Sequence, residues 1–319
     1  MAAQLHNVAI VGAGYMGGGI AKTLAQSGVV CTLLDAVPGG AEKRREQVLT
    51  AAEESLAEGF MTAEQVASVR DNLRSSEDFE SVVRDADLVF EVVFEKLDIK
   101  HEVLTRIEAA ASPDAIIATN TSAISIGDLA TVLERPEHFL GVHWFNPATL
   151  LPGIEVIPHA TTDMELVPPI VEMLRAAGKE PAVVSDTPGF VCNRLQFALF
   201  KEAVRMVEEG AASPQEIDTI VRASFGFRLA LYGPFAVADM AGLDVYANSY
   251  VSLEKAFGER FEVPPLLKER VDSGDLGIKS GGGFLGLSEE QAQTLVRERD
   301  IAYYKLGELR ASLAADSAL

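Results

Sequence analysis

Cysteine is nearly missing from this chain of 319 residues: Cys31 and Cys192 are the only two. Their scarcity excludes a disulfide framework, and both read as buried thiols of a reducing compartment. Neither has the neighbours of a metal ligand, so no metal site is expected. No apolar run approaches the ~20 residues that a bilayer-spanning helix needs. The start, MAAQLHN, lacks both the basic region and the apolar core of a signal peptide. A cytoplasmic protein without membrane association is the expectation. Basic residues are also few, 27 Lys and Arg against 47 Asp and Glu, leaving a formal net charge of −20. Nucleic acid or an anionic membrane would meet long-range repulsion, so the expected partner is a small-molecule substrate.

What is present begins with HNVAIVGAGYMGGGIAKTLAQSGVVCTLLD. An apolar run from Val8 to Val11 ends at Gly12, Gly14 and Gly17, and a helical pattern follows: strand, glycine turn, helix. Gly12 permits the tight turn, Gly14 lets backbone approach a pyrophosphate, and Gly17 lets helix and strand pack closely. The second strand closes with Asp35, placed to accept hydrogen bonds from an adenosine ribose. The charge of Asp35 would repel a 2′-phosphate, and Ala36 and Val37 supply no cation, so NAD is expected rather than NADP. Lys43, Arg44 and Arg45 read as a solvated helix face.

Five histidines occur, and His143 stands twelve residues before Glu155 in GVHWFNPATLLPGIE. An imidazole oriented by a carboxylate is a general base, able to take the hydroxyl proton of an alcohol while a hydride leaves the same carbon. His6, His101, His138 and His159 lack such company and read as structural.

The strand succession after Asp35 is interrupted by a long helical region, AEKRREQVLTAAEESLAEGF and then TAEQVASVRDNL, expected as a helix pair standing out from the core. Strands resume near 86–94, 115–121, 138–145, 153–159 and 181–186, with helices between them. From Thr187 only helical patterns follow, and Ser288 with Gln291 has the form of a capping box opening the last. The expected fold is α/β: a Rossmann-type doubly wound, mostly parallel sheet over 1–186, followed by an all-helical C-terminal domain over 187–319. The apolar faces of those helices point to a homodimer, although packing within the chain also accounts for them.

Four motifs, GAGYMG, ATNTSAISI, GVHWFNP followed by IEVI, and DTPGFVCNR, resemble those of the L-3-hydroxyacyl-CoA dehydrogenase family, and the resemblance covers nearly the whole chain. It implies His143 as the base, Glu155 as the carboxylate that orients it, Ser122 as a hydroxyl on the substrate oxygen, and Asn193 as the amide completing the site. For the cofactor it implies Gly12, Gly14, Tyr15, Met16, Gly17, Asp35, Asn120 and Glu95, the last near the nicotinamide end. Glu95 also reads as a solvated loop acid.

Two places depart from the acyl-CoA pattern. Glu58 occupies the neighbourhood where a lysine-glycine pair is usual, and ATLLPGIE lacks the lysine often found before the catalytic glutamate. In FGFRLALYGPF, Arg228 resembles the cation of the branch that oxidises free hydroxy acids and small alcohols, including gulonate, carnitine and 5-formyl-3-hydroxy-2-methylpyridine-4-carboxylate. Arg228 reads either as a bidentate clamp on a substrate carboxylate or as an interdomain or dimer salt bridge. The tail after GIKSGGGF is also longer than in short acyl-CoA enzymes. The resemblance therefore implies an NAD-dependent dehydrogenase whose substrate hydroxyl lies β to a carboxylate. The alternatives are a short-chain L-3-hydroxyacyl-CoA (3-hydroxybutyryl-CoA) dehydrogenase and a non-catalytic crystallin-like or NAD-sensing protein.

Overall fold

The computed structural model describes residues 5–316. The chain divides into two compact units, Met1–Phe200 and Lys201–Leu319. Among the described residues no helix is long and apolar enough to cross a membrane.

In the first unit, eight strands form one sheet: β1 (Asn7–Val11), β2 (Val30–Leu34), β3 (Leu73–Ser75), β4 (Leu88–Glu91), β5 (Ile116–Thr119), β6 (Phe139–Trp144), β7 (Gly153–Pro158) and β8 (Glu180–Val183). Their order, β3-β2-β1-β4-β5-β6-β7-β8, contains the 3-2-1-4-5-6 arrangement of doubly wound dinucleotide-binding folds. All neighbouring pairs are parallel except β6 with β7. Strands such as β4, β5 and β6 are buried along their whole length, because helices cover both faces of the sheet. The helices of this unit are α1 (Tyr15–Gln26), α2 (Gly40–Ala57), α3 (Ala63–Asn72), α4 (Phe79–Arg84), α5 (Leu97–Ala110), α6 (Ile126–Ala130) and α7 (Val167–Ala176).

Three sequence readings need correction. The pair α2–α3 does not stand out from the core: Val48, Ala52, Met61, Val66 and Val69 are buried in one cluster with Ile20 and Leu24 of α1. The apolar residues of α2 and α3 are few, and folding back onto α1 is the way to bury them. No helix separates β6 from β7; the loop 145–152 returns the chain directly, and this return makes the pair antiparallel. Of the face read as solvated only Lys43 is exposed; Arg44 and Arg45 are half-buried, their Nε atoms donating to the Ala13 carbonyl at 3.0 Å and the Leu73 carbonyl at 2.9 Å.

Helix α8 (Cys192–Glu208) follows, and the division between the units falls inside it. The second unit continues through α9 (Pro214–Ala223), α10 (Phe225–Leu229), α11 (Pro234–Ala241), α12 (Leu243–Phe257), α13 (Pro265–Asp272) and α14 (Glu289–Asp316). Its small core gathers Ala238, Leu243 and Leu267. At the start of α14, the Ser288 N–H donates to Gln291 Oε1 at 2.9 Å and the Gln291 N–H to Ser288 Oγ at 3.3 Å, the two bonds of a capping box.

Candidate active site

The antiparallel return sets His143 of β6 directly opposite Glu155 of β7 in the strand register. His143 Nδ1 lies 2.8 Å from Glu155 Oε2, and both side chains are almost wholly buried. The other carboxylate oxygen, Oε1, accepts the backbone N–H groups of Val191 at 2.9 Å and Cys192 at 2.8 Å. A turn aims those two N–H groups at the strand: Gly189 has φ +77° and Phe190 φ +48°. For a bulky residue such as Phe190 this backbone region is costly, and sites that hold it are over-determined by their packing. Here the Phe190 side chain is buried and its ring centroid lies 5.8 Å from that of His143, while Phe145 meets the imidazole edge-on at 4.7 Å.

Burial raises the Glu155 carboxyl, but the His143 hydrogen bond, the Cys192 and Val191 N–H donors and the imidazole charge outweigh it, holding the group below the ordinary glutamate range. The Glu155 carboxylate accepts a hydrogen bond from the Nδ1–H tautomer of the ring, in which Nε2 carries the lone pair. Next to Glu155, burial first and then the carboxylate charge push the Cys192 thiol up.

His143, Ser122, Asn120, Met16, Cys192 and Asn193 line one cavity of about 500 Å³, within the range of small-molecule sites. The loop carrying Ser122 is fixed at both ends. Its Ser122 N–H donates to Glu95 Oε1 at 2.8 Å, and its Ser122 carbonyl accepts Asn193 Nδ2 at 2.8 Å. Glu95 Oε1 also accepts the Thr121 hydroxyl at 2.5 Å and the Ala123 N–H at 3.2 Å. Asn120 Oδ1 takes the Trp144 N–H at 2.8 Å, tying this loop to β6.

Behind Glu95 lies a cluster that the sequence reading missed. Lys100, wholly buried in α5, bonds Glu91 Oε1 at 2.9 Å and Oε2 at 3.0 Å and stands 3.3 Å from Glu95 Oε2. Glu91 also accepts the Val93 N–H at 2.7 Å and the Thr119 hydroxyl at 2.6 Å. Burial raises the Glu95 carboxyl, yet the Thr121 bond, the Lys100 charge and the Ser122 N–H together bring it below its ordinary value. The available signal was an acid ending the apolar strand LVFE and a lysine nine residues later.

The glycine turn fits a dinucleotide. A Cβ on Gly12 would stand 2.4 Å from the Val92 carbonyl oxygen and one on Gly17 2.0 Å from the Gly12 oxygen, whereas one on Gly14 would meet nothing within 4 Å. Backbone thus packs tightly on two sides and is open on the third. Gly14 caps α1 without a side-chain hydrogen bond, and the first turn holds no acid, so its N–H groups face outward for an anion. Asp35 accepts the Ala13 N–H on Oδ2 and the Val37 N–H on Oδ1, each at 2.9 Å, and keeps further acceptor positions for a ribose. Met16 reaches the His143 cavity, while Tyr15 lines a separate one. Arg228 belongs to α10 of the second unit.

A doubly wound sheet with such a turn at β1, and a histidine–carboxylate pair at a cavity, defines a dinucleotide-dependent oxidoreductase. Comparison with known proteins narrows the class. Residues 7–187 match the NAD-binding domain of 3-hydroxyacyl-CoA dehydrogenase and residues 189–286 its C-terminal domain. The chain is 37% identical, over 93% of its length and 95% of the relative's, to 5-formyl-3-hydroxy-2-methylpyridine 4-carboxylate 5-dehydrogenase of Mesorhizobium japonicum. It is 32% identical to a probable 3-hydroxybutyryl-CoA dehydrogenase of Bacillus subtilis, over 90% of this chain and 99% of that one. The crystal structure of a 3-hydroxyacyl-CoA dehydrogenase from Archaeoglobus fulgidus superposes with a TM-score of 0.79 at 32% identity, covering 96% of this chain and 99% of that one. The chain belongs to the 3-hydroxyacyl-CoA dehydrogenase family, and it is an NAD-dependent oxidoreductase acting on CH–OH donors.

Proposed function

We propose that this enzyme oxidises a small free hydroxy acid, at a hydroxyl β to the carboxylate, with His143 as general base. The carrying observation is the buried His143–Glu155 pair, whose Nδ1 is committed at 2.8 Å while the ring borders the cavity. NAD supplies the hydride acceptor. His143 Nε2 takes the hydroxyl proton, and Glu155 stabilises the imidazolium that forms. The Ser122 hydroxyl and the Asn193 amide donate to the substrate oxygen as it becomes a carbonyl. Asn193 Nδ2 directs one of its two hydrogens to the Ser122 carbonyl, so the second serves the substrate. Glu95 holds the Ser122 loop, and Gly12, Gly14, Tyr15, Met16, Gly17, Asp35 and Asn120 hold the cofactor.

Three features favour a free acid over a CoA thioester. Glu58 is exposed at the end of α2, where it would repel CoA phosphates. Leu150 and Leu151, both exposed, stand before Glu155 without a lysine. Arg228 is the cation we assign to the substrate carboxylate, and the relative from Mesorhizobium japonicum is named for a carboxylate substrate. The thioester reading keeps support from the relatives named for CoA substrates.

The deciding assay follows NADH formation with free 3-hydroxy acids, carnitine, gulonate, hydroxymethyl aromatic acids and 3-hydroxybutyryl-CoA. Turnover of an acid with the thioester inert is the expected result; the reverse would overturn the free-acid reading. Arg228→Ala should raise KM for the acid by about tenfold or more, the worth of a charged hydrogen bond, and spare the corresponding amide. Equal effects on both would remove Arg228 from the site.

A further inference from the structure

Lys179 is 7% exposed and takes no part in the chemistry at His143. It stands where the chain passes from α7 to β8: Gly178 turns with φ +74°, and the Lys179 N–H returns to the Leu174 carbonyl at 3.0 Å. From there Nζ reaches the loop 145–152 and donates to two of its carbonyls, Ala148 at 2.7 Å and Leu151 at 2.8 Å. The next residue, Glu180, donates its N–H to the Pro152 carbonyl at 2.8 Å. Lys179 Nζ also lies 5.5 Å from the Trp144 ring centroid. Among the described residues no acid comes within ion-pair distance of Lys179. Burial pushes its ammonium below the usual lysine range.

A buried ammonium without a carboxylate is a costly way to fill space, and a methionine would occupy much the same volume without charge. What the ammonium supplies is a pair of charge-assisted hydrogen bonds, each about twice as strong as a neutral one. The loop has little else to hold it. Of residues 145–152 only Ala148 is buried, so the segment has no core of its own. Its internal bonds converge on one acceptor, the Pro147 carbonyl, which takes the N–H groups of Leu150 and Leu151, each at 3.1 Å. The same loop forms a wall of the catalytic cavity, where Phe145, Asn146, Leu151 and Pro152 stand beside His143.

We infer that Lys179 is a positioning residue for the substrate: by tying the Ala148 and Leu151 carbonyls it holds the 145–152 wall of the cavity in place before the alcohol arrives. The inference rests on the reading that the His143 cavity takes the alcohol. A wall ordered in the free enzyme spares each binding event the entropy of ordering it, so Lys179 acts on affinity. The chemical step depends on other supports. His143 and Glu155 are held by the β6–β7 ladder and by the Val191 and Cys192 N–H groups, and they keep their geometry when the loop loosens.

Trp144, the only tryptophan of the chain and 2% exposed beside this contact, reports on the loop without any substrate. In Lys179→Met, acrylamide quenching of its fluorescence, measured on the full chain without cofactor, should rise severalfold. KM for the alcohol that the enzyme turns over should rise about tenfold, the free-energy scale of ordering a loop segment on binding. The turnover number should stay within about threefold and NADH affinity within about twofold, the pattern of lost ground-state binding. Lys179→Gln keeps a neutral donor for folding and should show the same two changes at smaller size, which covers a Met variant too unstable to assay. Wild-type quenching in a folded variant, raised quenching with KM unchanged, or a fall in kcat as large as the rise in KM would each overturn the inference. Failure of the cavity reading shows itself differently: His143→Gln would then keep the wild-type kcat, whatever the Lys179 variants do.

Discussion

Glu155 has two oxygens and three partners, and that division accounts for much of the local order. Oε2 serves the imidazole while Oε1 holds the N–H groups of Val191 and Cys192, so one carboxylate orients the His143 ring and seats the turn that leads into α8 and Asn193. His143→Gln should lower kcat by about 10²–10⁴-fold, the usual worth of a positioned base. NADH affinity, read by fluorescence titration, should stay within about twofold; a matching loss there would mean collapse of the cavity instead. The pH dependence of folding follows from the same residue. Because the folded Glu155 pKa lies below its unfolded value, its contribution to stability is complete above the unfolded value and is lost as pH falls through the folded one. Urea unfolding at several pH values below the ordinary glutamate pKa of about 4.3 should therefore show a steeper loss of stability in wild type than in Glu155→Gln.

At the scale of elements, the strand-to-strand geometry does work that no single residue can. A His–Glu spacing of twelve is a coincidence until β6 and β7 pair antiparallel and put the two in register. The sequence revealed the glycine turn, most of the alternation of strands and helices, and the motifs that carry Met16, Asn120, Ser122, His143 and Asn193; it did not reveal that Trp144, Leu151 and Gln196 share their cavity. It did not reveal the direction of β7, because a strand buried on both faces reads as one apolar run whichever way it points. Strand β3 escaped notice since three residues, Leu73–Ser75, carry no period. The Glu91–Lys100 pair escaped because its contact depends on how α5 crosses the sheet. That pair yields a prediction of its own. Lys100→Met leaves Glu91 buried and without its cation, and should cost about 3–5 kcal/mol of unfolding free energy. Glu91→Gln combined with Lys100→Met should lose less, since the amide keeps the Thr119 and Val93 partners without a buried charge. A double variant as unstable as the single one would show that packing, not charge, sets the cost.

For the whole molecule, two opposed quantities decide association: a net charge of −20 and a helix with uncovered apolar side chains. Leu195, Phe197, Leu199, Phe200 and Val204 of α8 are all exposed, with Phe197 at 61% and Phe200 at 63%. Aromatic side chains so exposed on one helix mark a surface fit for a partner, and the prediction is that a second copy of this chain covers it. Burying two phenylalanines per copy offers about 1.5–3 kcal/mol for each ring. Two chains of charge −20 resist approach, however, and salt screens that repulsion over about 10 Å at 0.1 M. The balance fixes the direction of the salt effect: the dimer dissociation constant, measured by sedimentation equilibrium, should fall as sodium chloride rises from about 20 mM to about 200 mM. Phe197→Glu should abolish the dimer at both salt concentrations while far-ultraviolet circular dichroism stays that of the wild type. A dimer indifferent to that substitution would place the contact on another face, and one that weakened with salt would make ion pairs, not apolar burial, its source.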